Sequence, residues 1–302
     1  MRIKNIADIQ KEYLQKVDSL DLELIIAHTI EKSREFVLAH PEYSLNNEQR
    51  SMINKLADRR LKHEPIAYIL GHKEFFGLDF SVNKHTLIPR PETEQLVELA
   101  IQESTNENQE LRIIDVGTGS GCIIISIAKN NEQGTMNNVK FYATDASEEA
   151  LKIAKRNALA HNVNKKIKFL QGNLLTPLIG NWKLEIGNSR IIILANLPYL
   201  SKEIYTSTSL DVKNFEPKSA LFSAHSGLAH YEELFAQIKK LLTENCQLSV
   251  ILEFSPEQKS LLEKIIPEYF SKAEIKFNKD LCGLWRICEI EIMTTIIAEA
   301  TI

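Results

Sequence analysis

The segment Ile113-Ile-Asp-Val-Gly-Thr-Gly-Ser-Gly121 decides the fold. An apolar run ends in an acid, three glycines follow at alternate positions, and the apolar stretch Cys122-Ile-Ile-Ile-Ser-Ile-Ala128 comes next. This order reads as a buried strand, a tight loop and a helix. Gly117, Gly119 and Gly121 let the backbone turn sharply and approach a ligand with no Cβ in the way. The dinucleotide fingerprint G-x-G-x-x-G requires a third glycine where Cys122 stands, so that reading fails.

Outward from this segment, strands and helices alternate. The strands are expected at 111–116, 139–144, 166–171, 190–195, 247–254, 272–277 and 284–292, with helices between most of them and Ser147 and Pro256 near two helix starts. Such alternation implies an α/β fold, a doubly wound sheet with helices on both faces. Only a short connection, Asn278–Gly283, separates the last two strands, so they are expected to run antiparallel to each other. The 190–195 strand leads into Asn196-Leu-Pro-Tyr199, and ligands in open α/β sheets bind just beyond the carboxyl ends of strands. Asn196 offers an amide oxygen, Pro198 restrains Leu197 and its carbonyl, and Tyr199 offers a flat ring. Together they form a receptor for a planar NH2 group. Standing alone, the tetrapeptide fits an ordinary strand-to-loop turn as well.

Residues from about 5 to 71 carry helical periodicity (Ile6, Ile9, Tyr13, Val17; Leu22, Ile25, Ile26, Ile30; Ile53, Leu56, Ala57, Leu61), with Ser19 and Ser33 as candidate caps. Pro65 and Gly71 bracket a last short helix. This region contains no ligand cluster and reads as a small helical bundle. Residues 74–89 read as a β-hairpin linking two domains, its turn at Asn83-Lys84. Pro89-Arg-Pro-Glu-Thr-Glu94 then opens a helix; its acids suit either a helix N-terminus or a site.

The 302 residues are 44% hydrophobic and 25% charged, enough to bury a sizeable core, with 36 basic against 40 acidic side chains. That balance argues against a dedicated nucleic-acid binder. Cys122, Cys246, Cys282 and Cys288 form no CxxC pair and read as reduced thiols, not a zinc site. No metal is expected. Met1-Arg-Ile-Lys-Asn5 shows no signal-peptide core, and no apolar run reaches bilayer length. The expectation is a cytoplasmic, soluble protein with no membrane partner.

G-x-G-x-G after an acidic strand end is the pattern of S-adenosylmethionine methyltransferases, and Asp145 ends the next strand, where a carboxylate can grip both ribose hydroxyls. Asp115 could serve the loop backbone or the amino-acid end of the cofactor. The loop, the ribose acid and Asn196–Tyr199 stand at three strand ends, a much more specific set than any one of them. With Glu64-Pro-Ile-Ala-Tyr-Ile-Leu-Gly71, Glu74-Phe-Phe-Gly77, Ile88-Pro-Arg-Pro-Glu-Thr-Glu94, Glu216-Pro-Lys-Ser-Ala-Leu221, Gly227-Leu228 with Tyr231, and Lys279-Asp-Leu-Cys-Gly283, the chain resembles the release-factor glutamine methyltransferase (PrmC/HemK) family over nearly its whole length.

The resemblance implies an N-terminal helical substrate-recognition domain (1–73), a hairpin linker (74–89), a class I, Rossmann-like methyltransferase domain (90–293) and a tail (294–302). It implies transfer of a methyl group from S-adenosylmethionine to the side-chain amide nitrogen of the glutamine in the Gly-Gly-Gln loop of class 1 peptide release factors. By the same carry-over, Gly117, Thr118, Gly119, Ser120, Gly121, Asp145, Asn173, Leu174 and Asn196 contact the cofactor. Asn196, Leu197, Pro198 and Tyr199 hold the glutamine amide, and Phe76, Arg90 and Glu92 line the same pocket. A monomer with no direct nucleic-acid partner is expected. Two departures stand out: Leu197 replaces the first proline of the usual Asn-Pro-Pro-Tyr, and Asn173 stands where an acid is common. The competing readings are an rRNA adenine N6-methyltransferase, in which Asn-Leu-Pro-Tyr is the common form, and a non-catalytic binding protein on a relict fold.

Overall fold

The computed structural model describes residues 5–104, 110–131, 138–182, 189–242 and 247–293. The expected tail at 294–302 and Cys246 lie outside these residues. The chain divides into two units, residues 1–72 with Ser209–Phe215, and Lys73–Thr208 with Glu216–Ile302.

The first unit is helical, with helices at Ile6–Tyr13, Ser19–Ile30, Arg34–Ala39, Asn47–Leu61 and Ile66–Leu70. Their apolar faces meet in a core that includes Ile6, Ile9, Ile25, Ile26, Val37, Ile53 and Ala57. The second helix is capped by Asp18, not by the expected Ser19: the Asp18 carboxylate accepts from Leu20 N at 2.9 Å and Asp21 N at 3.4 Å. A carboxylate one residue earlier satisfies the same orphan amides and also suits the helix dipole. Gly71 closes the fifth helix in the left-handed conformation, as expected.

The hairpin is shifted from its expected position. Its strands are β1 (His72–Phe75) and β2 (Leu78–Ser81), and its turn is Phe76-Gly77, both residues at positive φ (52° and 73°). Two consecutive left-handed residues match the twist of a two-residue hairpin. Asn83 instead forms a side-chain turn, accepting from His85 N at 2.9 Å, and residues 83–89 make no strand.

The second unit carries a seven-stranded sheet: β3 (Leu111–Val116), β4 (Val139–Asp145), β5 (Ile167–Gln171), β6 (Arg190–Ala195), β7 (Gln247–Glu253), β8 (Glu274–Lys279) and β9 (Trp285–Met293). The order is β5-β4-β3-β6-β7-β9-β8, parallel through β7, with β9 antiparallel to both its neighbours. Strands β3, β6 and β7 are almost wholly buried because helices cover both faces. One face packs Ile114, Ile191, Ile193 and Val250 against Tyr231, Phe235, Ile238 and Leu262. The other packs Ile113, Ile192, Leu194 and Ile251 against Leu96, Val97, Ile124 and Ile127.

The chain order reverses at β3, whose neighbours β4 and β6 lead away in opposite directions, and a crevice opens there beyond the strand ends. Register fixes its contents. Val116 pairs with Thr144 on one side and Ala195 on the other, and Ala195 pairs with Leu252. The next residues along these four strands are therefore Gly117, Asp145, Asn196 and Glu253, set side by side.

Candidate active site

The glycine loop leaves β3 with Gly117 N and Thr118 N both donating to the Thr144 carbonyl at 2.9 Å. Gly119 N donates to Asp145 Oδ2 at 2.9 Å, and Ser147 N to Asp145 Oδ1 at 2.8 Å. Each Asp145 oxygen thus keeps lone-pair capacity for a ligand diol. Burial holds the Asp145 carboxyl above its ordinary pKa, against the lowering effect of those two amides. Gly117, Gly119 and Gly121 all have positive φ, and a Cβ on Gly119 would meet nothing closer than a carbonyl at 4.0 Å. That flank of the loop is free for close approach of a ligand. Gly121 has another role: it starts the helix Cys122–Asn130, and a Cβ there would stand 2.7 Å from Ile125 and 3.2 Å from Ala154. Asp115 is fully buried and accepts from Thr118 Oγ1 at 2.6 Å, so it braces the loop; burial pushes its pKa to about 7.

One cavity brings together Arg90, Gly117, Thr118, Gly119, Ser120, Asp145, Asn173, Leu174, Asn196, Leu197 and Pro198. Asp145 and the glycine loop suit a ribose and a polar chain, and Leu174 with the Asn173 amide suits a purine edge. The residues present fit S-adenosylmethionine. Gly121, Phe76, Glu92 and Tyr199 do not line this cavity. Phe76 occupies the hairpin turn, where its N–H donates to Glu94 Oε1 at 3.0 Å, and Glu92 is exposed. Arg90 is ion-paired to Glu216, which is buried and also accepts from Ile88 N at 3.2 Å.

The acceptor corner is built around Glu253, a residue the sequence reading placed in a strand without singling it out. Glu253 is 1% exposed and accepts from Thr93 Oγ1 at 2.6 Å, Asn196 Nδ2 at 3.0 Å and Tyr199 Oη at 3.0 Å. Asn196 Nδ2 also donates to Thr93 Oγ1 at 3.0 Å. The nitrogen end is thereby held between Thr93 and Glu253, and the side-chain oxygen is the end left for a ligand. Burial raises the Glu253 pKa, opposed by the Thr93 and Tyr199 bonds. The only sequence signal was a lone acid closing an otherwise apolar strand, Leu248-Ser-Val-Ile-Leu-Glu253.

The loop after Asn196 is clamped from below. Fully buried Tyr231 donates its hydroxyl to the Glu253 carbonyl. Gln258 Nε2 donates to the Tyr199 carbonyl at 2.8 Å and the Ser226 carbonyl at 3.0 Å. His230, also missed, lines the cavity; its ring bonds Ser223 Oγ at 2.9 Å, and burial lowers its pKa. Among the described residues, nothing donates to the Leu197 carbonyl. The Leu197 side chain is buried, and its Cδ2 occupies the space a Cβ on Gly117 would need, 2.9 Å away. Leu197 thus ties the acceptor corner to the glycine loop by packing, a restraint that supplements the single proline.

Among the described residues, no group of His, Cys, Asp and Glu could hold a metal ion, and no helix is long and apolar enough to cross a membrane. Cys122, Cys282 and Cys288 are free thiols; burial pushes Cys122, beside the loop, to about 12.

A glycine loop at the switch point, a carboxylate at the next strand end and an asparagine corner across the crevice define a class I S-adenosylmethionine-dependent methyltransferase. The methyltransferase domain family matches residues 107–266, and the PrmC N-terminal domain family matches residues 11–71. The release factor glutamine methyltransferase of Nitratidesulfovibrio vulgaris is 34% identical over 268 residues, spanning 88% of this chain and 86% of that protein. Its counterpart in Clostridium botulinum is 34% identical, spanning 89% and 90%. The chain belongs to the release factor glutamine methyltransferase family. It also matches the bifunctional methyltransferase of Rickettsia bellii, 32% identical over 91% of this chain, but spans only 51% of that longer protein. In fold alone it is similar to the hMettl16 catalytic domain solved with a MAT2A 3′UTR hairpin (TM-score 0.51, 17% identity, 78% of this chain and 81% of that one).

Proposed function

We propose that this chain methylates the side-chain amide nitrogen of the glutamine in the Gly-Gly-Gln loop of class 1 peptide release factors. The observation that carries the site assignment is the fixed orientation of Asn196, its nitrogen held by Thr93 and Glu253 and its oxygen left to accept. Asn196 Oδ1 and the Leu197 carbonyl take the two hydrogens of the substrate amide. Tyr199, tethered by its hydroxyl to Glu253, stiffens the corner behind the amide, while Arg90 lines the approach. The helical unit recognises the release factor, a protein substrate, and the enzyme works as a monomer without nucleic acid.

An amide nitrogen is a poor nucleophile because its lone pair is delocalised, so alignment and charge stabilisation must supply the rate. S-adenosylmethionine, when bound along the glycine loop, Asp145, Asn173 and Leu174, supplies an electrophilic methyl group on a sulfonium. Two oxygens fixed before reaction stabilise positive charge that grows on the amide nitrogen more than they stabilise the neutral amide. Buried Glu253 contributes through the same bonds, because its charge polarises the Asn196 amide and strengthens its oxygen as an acceptor. The rRNA adenine reading is not favoured: the N-terminal helical unit matches the PrmC domain, and relatives spanning most of the chain act on release factors by name. Mass spectrometry of a release factor incubated with the enzyme and S-adenosylmethionine tests the proposal. One added methyl group on the glutamine of the Gly-Gly-Gln tryptic peptide, lost with Asn196→Ala, is expected. An unmodified glutamine, or methylated rRNA in a parallel incubation, would overturn it.

A further inference from the structure

A second asparagine is oriented by the same device at the other end of the cavity. Asn173 follows β5, and its Nδ2 donates to Glu233 Oε1 at 2.5 Å. That oxygen also accepts from Gln237 Nε2 at 3.3 Å. Buried Gln237 is fixed in turn, because its Oε1 accepts from Leu175 N at 2.8 Å. Glu233 and Gln237 stand one turn apart on the helix Ala229–Leu241, which carries His230, Glu233 and Gln237 as a polar stripe beside buried Tyr231, Leu234, Phe235 and Ile238. An ionised carboxylate only accepts, so it can hold Asn173 by its nitrogen alone. The amide oxygen is then the end available to the cavity that Asn173 and Leu174 line.

We propose that Glu233 is a specificity-determining positioning residue: by fixing Asn173 with its oxygen outward, it selects a methyl donor whose purine bears an exocyclic amino group and rejects the 6-oxopurine counterpart. The inference rests on the proposed assignment of Asn173 and Leu174 to the purine. It accounts for a neutral asparagine where an acid is common. The negative charge is supplied one residue further out, and its field makes the asparagine oxygen a stronger acceptor. Without an acceptor at that position, the Asn173 amide can rotate to present either end, and discrimination between amino and oxo groups falls.

Titration calorimetry with S-adenosylhomocysteine and S-inosylhomocysteine tests this without turnover. The wild-type enzyme should prefer the adenosyl compound by about tenfold or more, since a mismatched donor–acceptor pair forfeits roughly one hydrogen bond. Glu233→Gln, whose oxygen can still accept from Asn173, should keep most of that preference. Glu233→Lys, which can only donate, should turn the Asn173 oxygen away and shrink or invert it. Glu233 is exposed, so folding should survive each change, with thermal melting as the control. An unchanged preference in Glu233→Lys would overturn the role of Glu233. Failure of the wild-type enzyme to bind either compound would overturn the methyltransferase site itself.

Discussion

Replacing Asn196 by aspartate tests the acceptor corner in a way that alanine cannot. Asn196 Nδ2 lies 3.0 Å from Glu253 Oε2, so the substitution would set two carboxylate oxygens at that separation. At an effective permittivity of ~20, two unit charges this close repel by roughly 5 kcal/mol. That repulsion raises the second ionisation of the pair well above the ordinary carboxylate range. The Glu253 pKa is already raised by burial. The pair therefore retains one proton at neutrality, as paired carboxylates sharing a site do. With that proton between them, the pair carries the same net charge as the native Asn–Glu pair, and the outward oxygen still accepts.

The Asn196→Asp enzyme should accordingly stay within about tenfold of wild-type turnover near pH 6, the remaining loss reflecting one missing bond to Thr93. Its activity should then fall as pH rises and the shared proton leaves, while Asn196→Ala should be inactive at every pH. Stability follows the same sign. The folded-state pKa of the pair lies above its unfolded values near 4, so the variant's stability contribution is complete below pH ~4 and is lost as pH rises through the folded value. Single-turnover methylation and thermal melting between pH 5.5 and about 9 read both effects. A variant-to-wild-type activity ratio that stayed flat with pH, or a variant as inactive as Asn196→Ala at pH 6, would refute the reasoning.

Tyr231→Phe removes the hydroxyl that donates to the Glu253 carbonyl, leaving that buried oxygen without this partner; denaturant unfolding should show a loss of about 1–3 kcal/mol, and turnover should fall as the Glu253 end of its strand loosens. Gly227→Ala places a Cβ 2.0 Å from the Tyr199 carbonyl oxygen at a φ of +88°, so the melting temperature and turnover should drop together, whereas Gly71→Ala, whose Cβ meets nothing within 4 Å, should spare turnover. Glu103, beneath the sheet beside Arg190, is raised to about 7 mainly by burial. Its stabilising contribution is present below its unfolded pKa and is lost as pH rises through 7, so Glu103→Gln should flatten the decline in melting temperature between pH 5 and about 8.5.

Much of the architecture was legible because parallel strands buried on both faces leave aliphatic runs: Ile191 to Ala195 is unbroken, and Ile113 to Val116 is interrupted only by Asp115 near its carboxyl end. The antiparallel pairing of β8 and β9 followed from a connection too short for a crossover. The hairpin was misplaced because Phe76 sits at a positive φ that a bulky side chain rarely adopts. Asn83-Lys84 has the composition usual in a turn, and Phe-Gly does not. Asp18 displaced Ser19 as a cap because two adjacent residues suit that position, and sequence alone does not rank them.

Glu253 and His230 escaped notice for a different reason. Neither belongs to a contiguous motif, and the role of each, like that of Thr93 within its quoted motif, depends on neighbours outside its own segment. Thr93 reaches Glu253 across 160 positions and Asn196 across 103. A spacing rule cannot see such pairs, but a register can. Once β6 and β7 are known to be parallel neighbours with Ala195 opposite Leu252, the residues that follow them, Asn196 and Glu253, must be adjacent at the carboxyl edge. An asparagine beside a buried carboxylate then has one stable orientation, nitrogen inward and oxygen outward, and that orientation is what fits the site for a primary amide. The motif names the residue, and the strand pairing decides which of its two ends the substrate meets.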